Sequence, residues 1–151
     1  MKIAIDSDLN GVLLKENIFL FLNEKTDIEI CDLQYINQFP ERDYPDVAFN
    51  MAKKIKENHF DRGILICGTG LGMAICANKI PGIYAGACHD VYSAERLVKS
   101  NNAQILTLGA FVIGAESAKK VVEAWVLSNF ENGRSLPKVN RLKEIEREIY
   151  K

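Results

Sequence analysis

Cys67-Gly68-Thr69-Gly70-Leu71-Gly72 is the segment whose residue types and spacing are best able to do chemistry. Three glycines in five positions let a backbone approach a ligand closely. Amides converging where a helix begins favour an anion, whether a bound phosphate or a developing oxyanion. The G-x-G-x-G spacing is not the dinucleotide fingerprint, and no Gly-Lys-Ser/Thr follows to make a P-loop. Glycine richness alone also describes a tight turn with close helix packing. Cys67 sharpens the reading, because a thiol at the mouth of this turn meets the partial positive charge of a helix start, which favours the thiolate. A thiolate there can serve as nucleophile or as general base; a buried strand cysteine is the plainer alternative. Cys31, Cys76 and Cys88 are read as structural.

Other reactive side chains are few. Asp6 and Asp8 flank the first turn, as do the magnesium-holding acids of phospho-receiver domains. Those domains also need an aspartate after the third strand, where this chain has Cys67. Asp8 can position sugar hydroxyls or cap the helix that follows. Of the two histidines, His59 is expected at the surface, and His89-Asp90 either lines a pocket or opens a helix at Asp90. Near the C-terminus, Arg141, Lys143 and Arg147 interleave with Glu144, Glu146 and Glu148 as a solvated helix face. Arg134 and Lys138 fall beside the Asn132-Gly133 turn, outside the mixed charges, and are the better phosphate ligands.

The elements that must position these residues alternate regularly. Short apolar runs at 2–6, 28–31, 63–67, 83–87 and 104–108 read as strands, and helical apolar spacing covers 12–25, 45–58, 73–79, 91–99 and 114–128. Gln34 to Tyr44 reads as a polar, aromatic loop, and Pro137 opens a charged C-terminal helix to Tyr150. The unalternating run Gly63-Ile64-Leu65-Ile66-Cys67 fits a strand buried on both faces. The pattern predicts an α/β fold with a five-stranded, mostly parallel sheet between helices on both faces. In such sheets ligands bind beyond the carboxyl ends of the strands. That rule selects Asp6 to Gly11, Cys67 to Gly72, His89-Asp90 and Gly109.

Length and charge bound the function. The 151 residues make one domain, able to bury roughly 68–70% of its unfolded surface. Nineteen basic against twenty acidic residues leave a net charge of −1, which argues against general binding to nucleic acid or membrane surfaces. No signal-peptide or membrane-spanning pattern is present. Four cysteines without a C-x-x-C spacing suit a reducing compartment, so a cytoplasmic location is expected.

With these segments in view, the chain resembles the ribose-5-phosphate isomerase B family, which includes galactose-6-phosphate isomerase subunits. The resemblance runs from Met1 to about Val139. It rests on Lys2-Ile3-Ala4-Ile5 with Ser7-Asp8 and Gly11, on Asp43-Tyr44-Pro45, and above all on Asp61 through Met73. Ala77-Asn78-Lys79, Pro81-Gly82-Ile83, His89 through Ala94, Leu108-Gly109-Ala110, Val112-Ile113-Gly114 and Gly133-Arg134 complete it. The resemblance implies a Rossmann-like three-layer α/β/α fold, with no metal or cofactor. It further implies a homodimer or dimer of dimers with shared sites, the C-terminal helix of about 137–150 lying at the interface. The implied reaction is aldose–ketose isomerisation of a phosphorylated sugar through an enediolate. Cys67 would remove the proton alpha to the carbonyl, and Thr69 would assist proton movement at the sugar oxygens. Amides of Gly68, Gly70 and Gly72 would hold the enediolate charge. Asp8, Tyr44 and Asn101 would contact the sugar, while Arg134 and Lys138 would bind phosphate in a neighbouring subunit's site.

Three positions depart from the family. Leu9 replaces a histidine after the first-turn aspartate, Ser100 replaces the ring-opening histidine, and Ser135 replaces a histidine after the Gly-Arg turn. A furanose must open before it isomerises, whereas a tetrose phosphate cannot form that ring through its phosphorylated oxygen. Weak ribose 5-phosphate activity and room for another substrate follow, unless His89 fills the gap. The alternatives are a non-catalytic or partner-dependent sugar-phosphate-binding subunit, and a nucleotide-binding module.

Overall fold

A computed structural model describes residues 1–151. Its sheet has five strands: β1 (Lys2–Ser7), β2 (Glu29–Asp32), β3 (Arg62–Cys67), β4 (Ala85–Ala87) and β5 (Ile105–Gly109). Their spatial order is β2-β1-β3-β5-β4. Every pairing is parallel, so the mostly parallel expectation resolves to a wholly parallel sheet. The helices are α1 (Val12–Asn23), α2 (Tyr35–Gln38), α3 (Tyr44–Lys56), α4 (Leu71–Ala77), α5 (Val91–Lys99), α6 (Ala115–Leu127) and α7 (Leu136–Ile149). The fold is a Rossmann-like three-layer α/β/α arrangement, as the sequence pattern and the resemblance lead one to expect. No helix is long and apolar enough to cross a membrane.

Strand alternation sorts the core into two halves. Ile3, Ile5, Ile64, Ile66, Leu106 and Leu108 face the layer of α1, α5 and α6, where Trp125 is fully buried. Ala4, Leu65, Cys67 and Ile105 face α3 and α4, packing against Met51, Ala52 and Met73. The same parity aims the Cys67 side chain at the α3/α4 layer.

The elements differ from the expected ones mainly at their ends, where capping decides. The Gln34 to Tyr44 loop contains the one-turn helix α2. Gln34 enters it in the left-handed region (φ 50°), with its amide held by Asp32 and the Tyr35 amide held by Asp6. Helix α4 starts at Leu71 rather than Met73, because Gly70 reaches φ 79° and turns the chain directly into it. β4 begins at Ala85, since Pro81-Gly82 makes a turn that carries Ile83 into the core before pairing starts.

Candidate active site

β1 pairs with β2 on one side and β3 on the other. The chain direction across the sheet therefore reverses between β1 and β3, and a crevice opens at their carboxyl ends. Gly11 presses into this junction: a Cβ there would lie 2.5 Å from the Ile66 carbonyl oxygen. The Asp8 amide donates to that same carbonyl at 3.1 Å. Asp8 Oδ1 accepts from the amides of Asn10 and Gly11 at 2.9 and 3.1 Å, so the aspartate does cap the following turn. Both bonds use one oxygen, leaving Oδ2 without a protein partner. Burial, assisted by the Asp43 charge, raises the Asp8 carboxyl above its usual range against those two bonds.

Cys67 ends β3 beside Asp8 and is buried. Its Sγ accepts the Gly70 amide at 3.1 Å, so the turn folds back onto its own thiol. Gly70 cannot be replaced cheaply, because a Cβ would meet the Leu108 backbone at 2.9 Å and φ is already positive. Its carbonyl accepts the buried Thr107 hydroxyl at 2.7 Å. Thr69 stands exposed, and its Oγ1 accepts the Leu71 amide at 3.3 Å. Tyr44, at the start of α3, lays its ring on Gly72, where a Cβ would come within 2.5 Å of Cε2.

From the other side, the turn after β5 clasps the same loop. Ala110 donates to the Cys67 carbonyl at 2.8 Å and Phe111 to the Gly68 carbonyl at 2.9 Å. The Phe111 ring covers Gly68, and Gly109 packs on the Thr69 backbone. His89 Nε2 accepts the Gly109 amide at 2.8 Å. Burial lowers the His89 pKa, with Asp90 opposing. Asp90 opens α5 by accepting the Ser93 amide, so the helix-opening reading of His89-Asp90 holds for Asp90, while His89 serves the Gly109 backbone.

Asp8, Tyr44, Cys67, Thr69, Gly68, Gly70, Gly72 and His89 are thus gathered at one end. The remaining candidates are not. Helix α5 leaves the carboxyl ends and returns the chain to the amino ends, so Ser100 and Asn101 lie on the order of 13 Å from where α5 began. There they line a cleft of about 410 Å³ with Arg134, Ser135 and Lys138. Neither Arg134 nor Lys138 forms an ion pair within the chain, whereas Arg141 pairs with Glu144 and Glu148. The charge separation read along the sequence is therefore a separation in space. His59 is exposed, as expected. The Cys76 thiol bonds the Pro45 carbonyl, and burial together with Asp90 pushes the Cys88 thiol up to about 11.

Several contributors escape sequence reasoning. Phe111 and Thr107 carry no motif, and Asp43 appears in the Asp43-Tyr44-Pro45 segment without a role of its own. Only Asp43 has a legible signal, since an aspartate two residues before a proline is a good helix start, and its Oδ1 caps Tyr44. No group of three or more His, Cys, Asp or Glu side chains is assembled as a metal site would need.

A tight glycine loop beside a thiol, at the carboxyl ends of a parallel sheet, lies where α/β proteins bind small molecules. Residues 3–142 match the Ribose/Galactose Isomerase family, and the chain belongs to it as a sugar-phosphate isomerase. It is 47% identical over 142 residues to the D-erythrulose-4-phosphate isomerase of Pectobacterium atrosepticum, covering 94% of this chain and 93% of that protein. It is 49% identical over 146 residues to the ribose-5-P isomerase B of Listeria innocua, covering 97% of each. Among solved structures, ribose-5-phosphate isomerase B of Clostridium thermocellum superposes with a TM-score of 0.90 at 41% identity, over 99% of both chains.

Proposed function

We propose that the protein interconverts the aldose and ketose forms of a short sugar phosphate, with a tetrose 4-phosphate preferred over ribose 5-phosphate. The observation that carries this is the pairing of Cys67 with an open Asp8 Oδ2 at the β1/β3 crevice. Asp8 and Tyr44 hold sugar hydroxyls beside the thiol. The Cys67 thiolate takes the proton from the carbon alpha to the carbonyl, and the electron pair moves onto the carbonyl oxygen to give an enediolate. Loop amides stabilise that charge. Thr69 relays a proton between the two sugar oxygens, and Cys67 returns its proton to the neighbouring carbon. Retention of this apparatus speaks against a purely binding subunit.

Substrate length follows from what stands beside the apparatus. Leu9, next to Asp8, is 76% exposed and offers no proton-transfer group, and Ser100 lies in the amino-end cleft. His89 spends Nε2 on the Gly109 amide and so does not supply a free ring-opening base at that nitrogen. A tetrose 4-phosphate needs no such group, since its O4 is blocked. The likeness to a protein named D-erythrulose-4-phosphate isomerase supports the same choice.

The phosphate ligands require a second copy of the chain. Arg134 and Lys138 open at the amino ends of the sheet, a helix length away from Cys67 at the carboxyl ends of the same chain. Two chains related by a two-fold axis bring each cationic end to the other's Cys67 end. Leu9, Leu13, Leu71, Ile75, Phe111 and Val112 are exposed around the Cys67 end, where a partner would cover them. The test is incubation with erythrulose, ribose and hexose phosphates in deuterium oxide, followed by NMR. Product and alpha-deuterium are expected with the tetrose, more slowly with ribose 5-phosphate. No product and no exchange with any of them would overturn the isomerase assignment, and faster turnover of ribose 5-phosphate would overturn the preference.

A further inference from the structure

β4 pairs with β5 in the register Ala85↔Ile105, Gly86↔Leu106 and Ala87↔Thr107. The ladder's last backbone bond runs from the Cys88 amide to the Thr107 carbonyl at 3.3 Å. In a parallel pair the next β5 amide to point at β4 is that of Gly109, and it would need a β4 carbonyl. The chain has already turned toward α5, and the His89 imidazole takes the carbonyl's place at 2.8 Å. A side chain thereby extends the sheet by one bond, at the residue that sits across β5 from Cys67.

Gly109 leads directly into the clasp on the active loop. The amides of Ala110 and Phe111 hold the Cys67 and Gly68 carbonyls, and the Gly109 backbone abuts Thr69. We propose that His89 is a positioning residue for the isomerase reaction, whose Nε2 lone pair anchors Gly109 and so holds the Cys67–Thr69 loop in its reactive geometry. The proposal rests on the reading of Cys67 as the base, and its first measurement is independent of that reading. Acceptance at Nε2 leaves the ring proton on Nδ1 and needs a neutral ring. An imidazolium has no lone pair, so acid releases the anchor.

The charged surroundings are simple. Asp90, on the same turn, favours the protonated ring, and burial opposes it more strongly. Cys88, the preceding residue, is neutral with its thiol pushed up to about 11. The strand-end turn from Gly109 to Gly114 carries no titratable side chain.

The experiment compares His89→Ala with His89→Gln, whose Oε1 can accept at the Nε2 position at any pH. Alkylation of Cys67 by iodoacetamide without substrate, followed by peptide mass spectrometry, reads the loop alone. His89→Ala is expected to alkylate severalfold faster, because the buried thiol is released, and to lose roughly tenfold to a hundredfold in kcat. His89→Gln is expected to stay close to wild type in both. The ratio of wild-type to His89→Gln alkylation rates, in which the falling thiolate fraction cancels, should rise as acid protonates His89, below the ordinary imidazole range because burial lowers its pKa. Unchanged alkylation and turnover in His89→Ala would overturn the proposal. So would a His89→Gln variant with normal alkylation but the turnover of His89→Ala, since the imidazole would then act on substrate directly. If wild type turns over no sugar phosphate, the function fails while the alkylation comparison still decides the anchor.

Discussion

Under the proposed function, the two ends of the sheet carry the two halves of the chemistry in opposite ways. At the carboxyl ends, the Cys67 loop is over-determined: the thiol, Thr107, Ala110 and Phe111 each bond its backbone, and glycines admit no side chain. At the amino ends, Arg134 and Lys138 are exposed and unpaired, held only by the entry to α7. The contrast teaches a division of labour. Proton transfer depends on sub-ångström placement, so a rigid cradle suits the groups proposed for it. Phosphate attraction acts over longer range and tolerates movement, so an exposed end suits the groups proposed to bind it.

Cys67→Ala attacks that division most directly. Turnover is expected to fall by about 10³-fold with KM almost unchanged, as for loss of a general base; steady-state kinetics and deuterium exchange would show it. A comparable rise in KM would mean that the carboxyl end also supplies binding energy. Gly70→Ala comes next. With φ at 79° and the Leu108 backbone in the way, it should lower stability by about 1–3 kcal/mol in thermal melts and cut kcat more than it raises KM.

Asp6 tests whether the rigid end carries a built-in cost. Burial raises its carboxyl to about 6 from 3.8, despite bonds from Ser7 and Tyr35 and the nearby Lys15. The folded state therefore holds the proton more tightly than the unfolded chain. The stability so contributed is complete below the unfolded pKa and disappears as the pH rises through about 6. Relative to Asp6→Asn, wild type should lose on the order of 2–3 kcal/mol between pH ~4 and ~7. Melting curves of the two proteins that stay parallel over that range would contradict it.

Arg134→Ala probes the mobile end. KM is expected to rise about tenfold, near the value of one charged hydrogen bond, while kcat changes less; Lys138→Ala should do the same more weakly. Mixing the two kinds of damage sharpens the comparison. Cys67→Ala and Arg134→Ala chains, unfolded together and refolded, should recover about a quarter of wild-type activity at sub-saturating substrate, through two-fold dimers with one intact site. No recovery would place both halves of a site within one chain.

Much of this was legible from residues alone. The G-x-G-x-G turn behind a cysteine announced a close approach of backbones, and the contacts a Cβ would make at Gly68, Gly70 and Gly72 bear that out. The helix and strand periods located the layers, because burial on one face dictates spacing. Arg134 and Lys138 stand out because they fall beside the Asn132-Gly133 turn, outside the interleaved charges of the C-terminal helix. What stayed illegible depends on partners far apart in the chain. Asp8 reads equally as a cap or as a ligand until its two oxygens are seen to differ. His89 reads as pocket or turn until β5 presents an unpaired amide. Phe111 had no motif at all.

The sequence by itself determined the order of elements, the parallel α/β class and the tight glycine turn behind Cys67, because these rest on local conformation and on hydrophobic period. The tertiary structure alone decided which groups stand together. It set Asn101, Arg134 and Lys138 at the opposite end of the sheet from Cys67, and it spent one histidine on the backbone of the neighbouring strand. Those outcomes depend on strand order and register, which bring residues dozens of positions apart to within a hydrogen bond or hold them a helix length away.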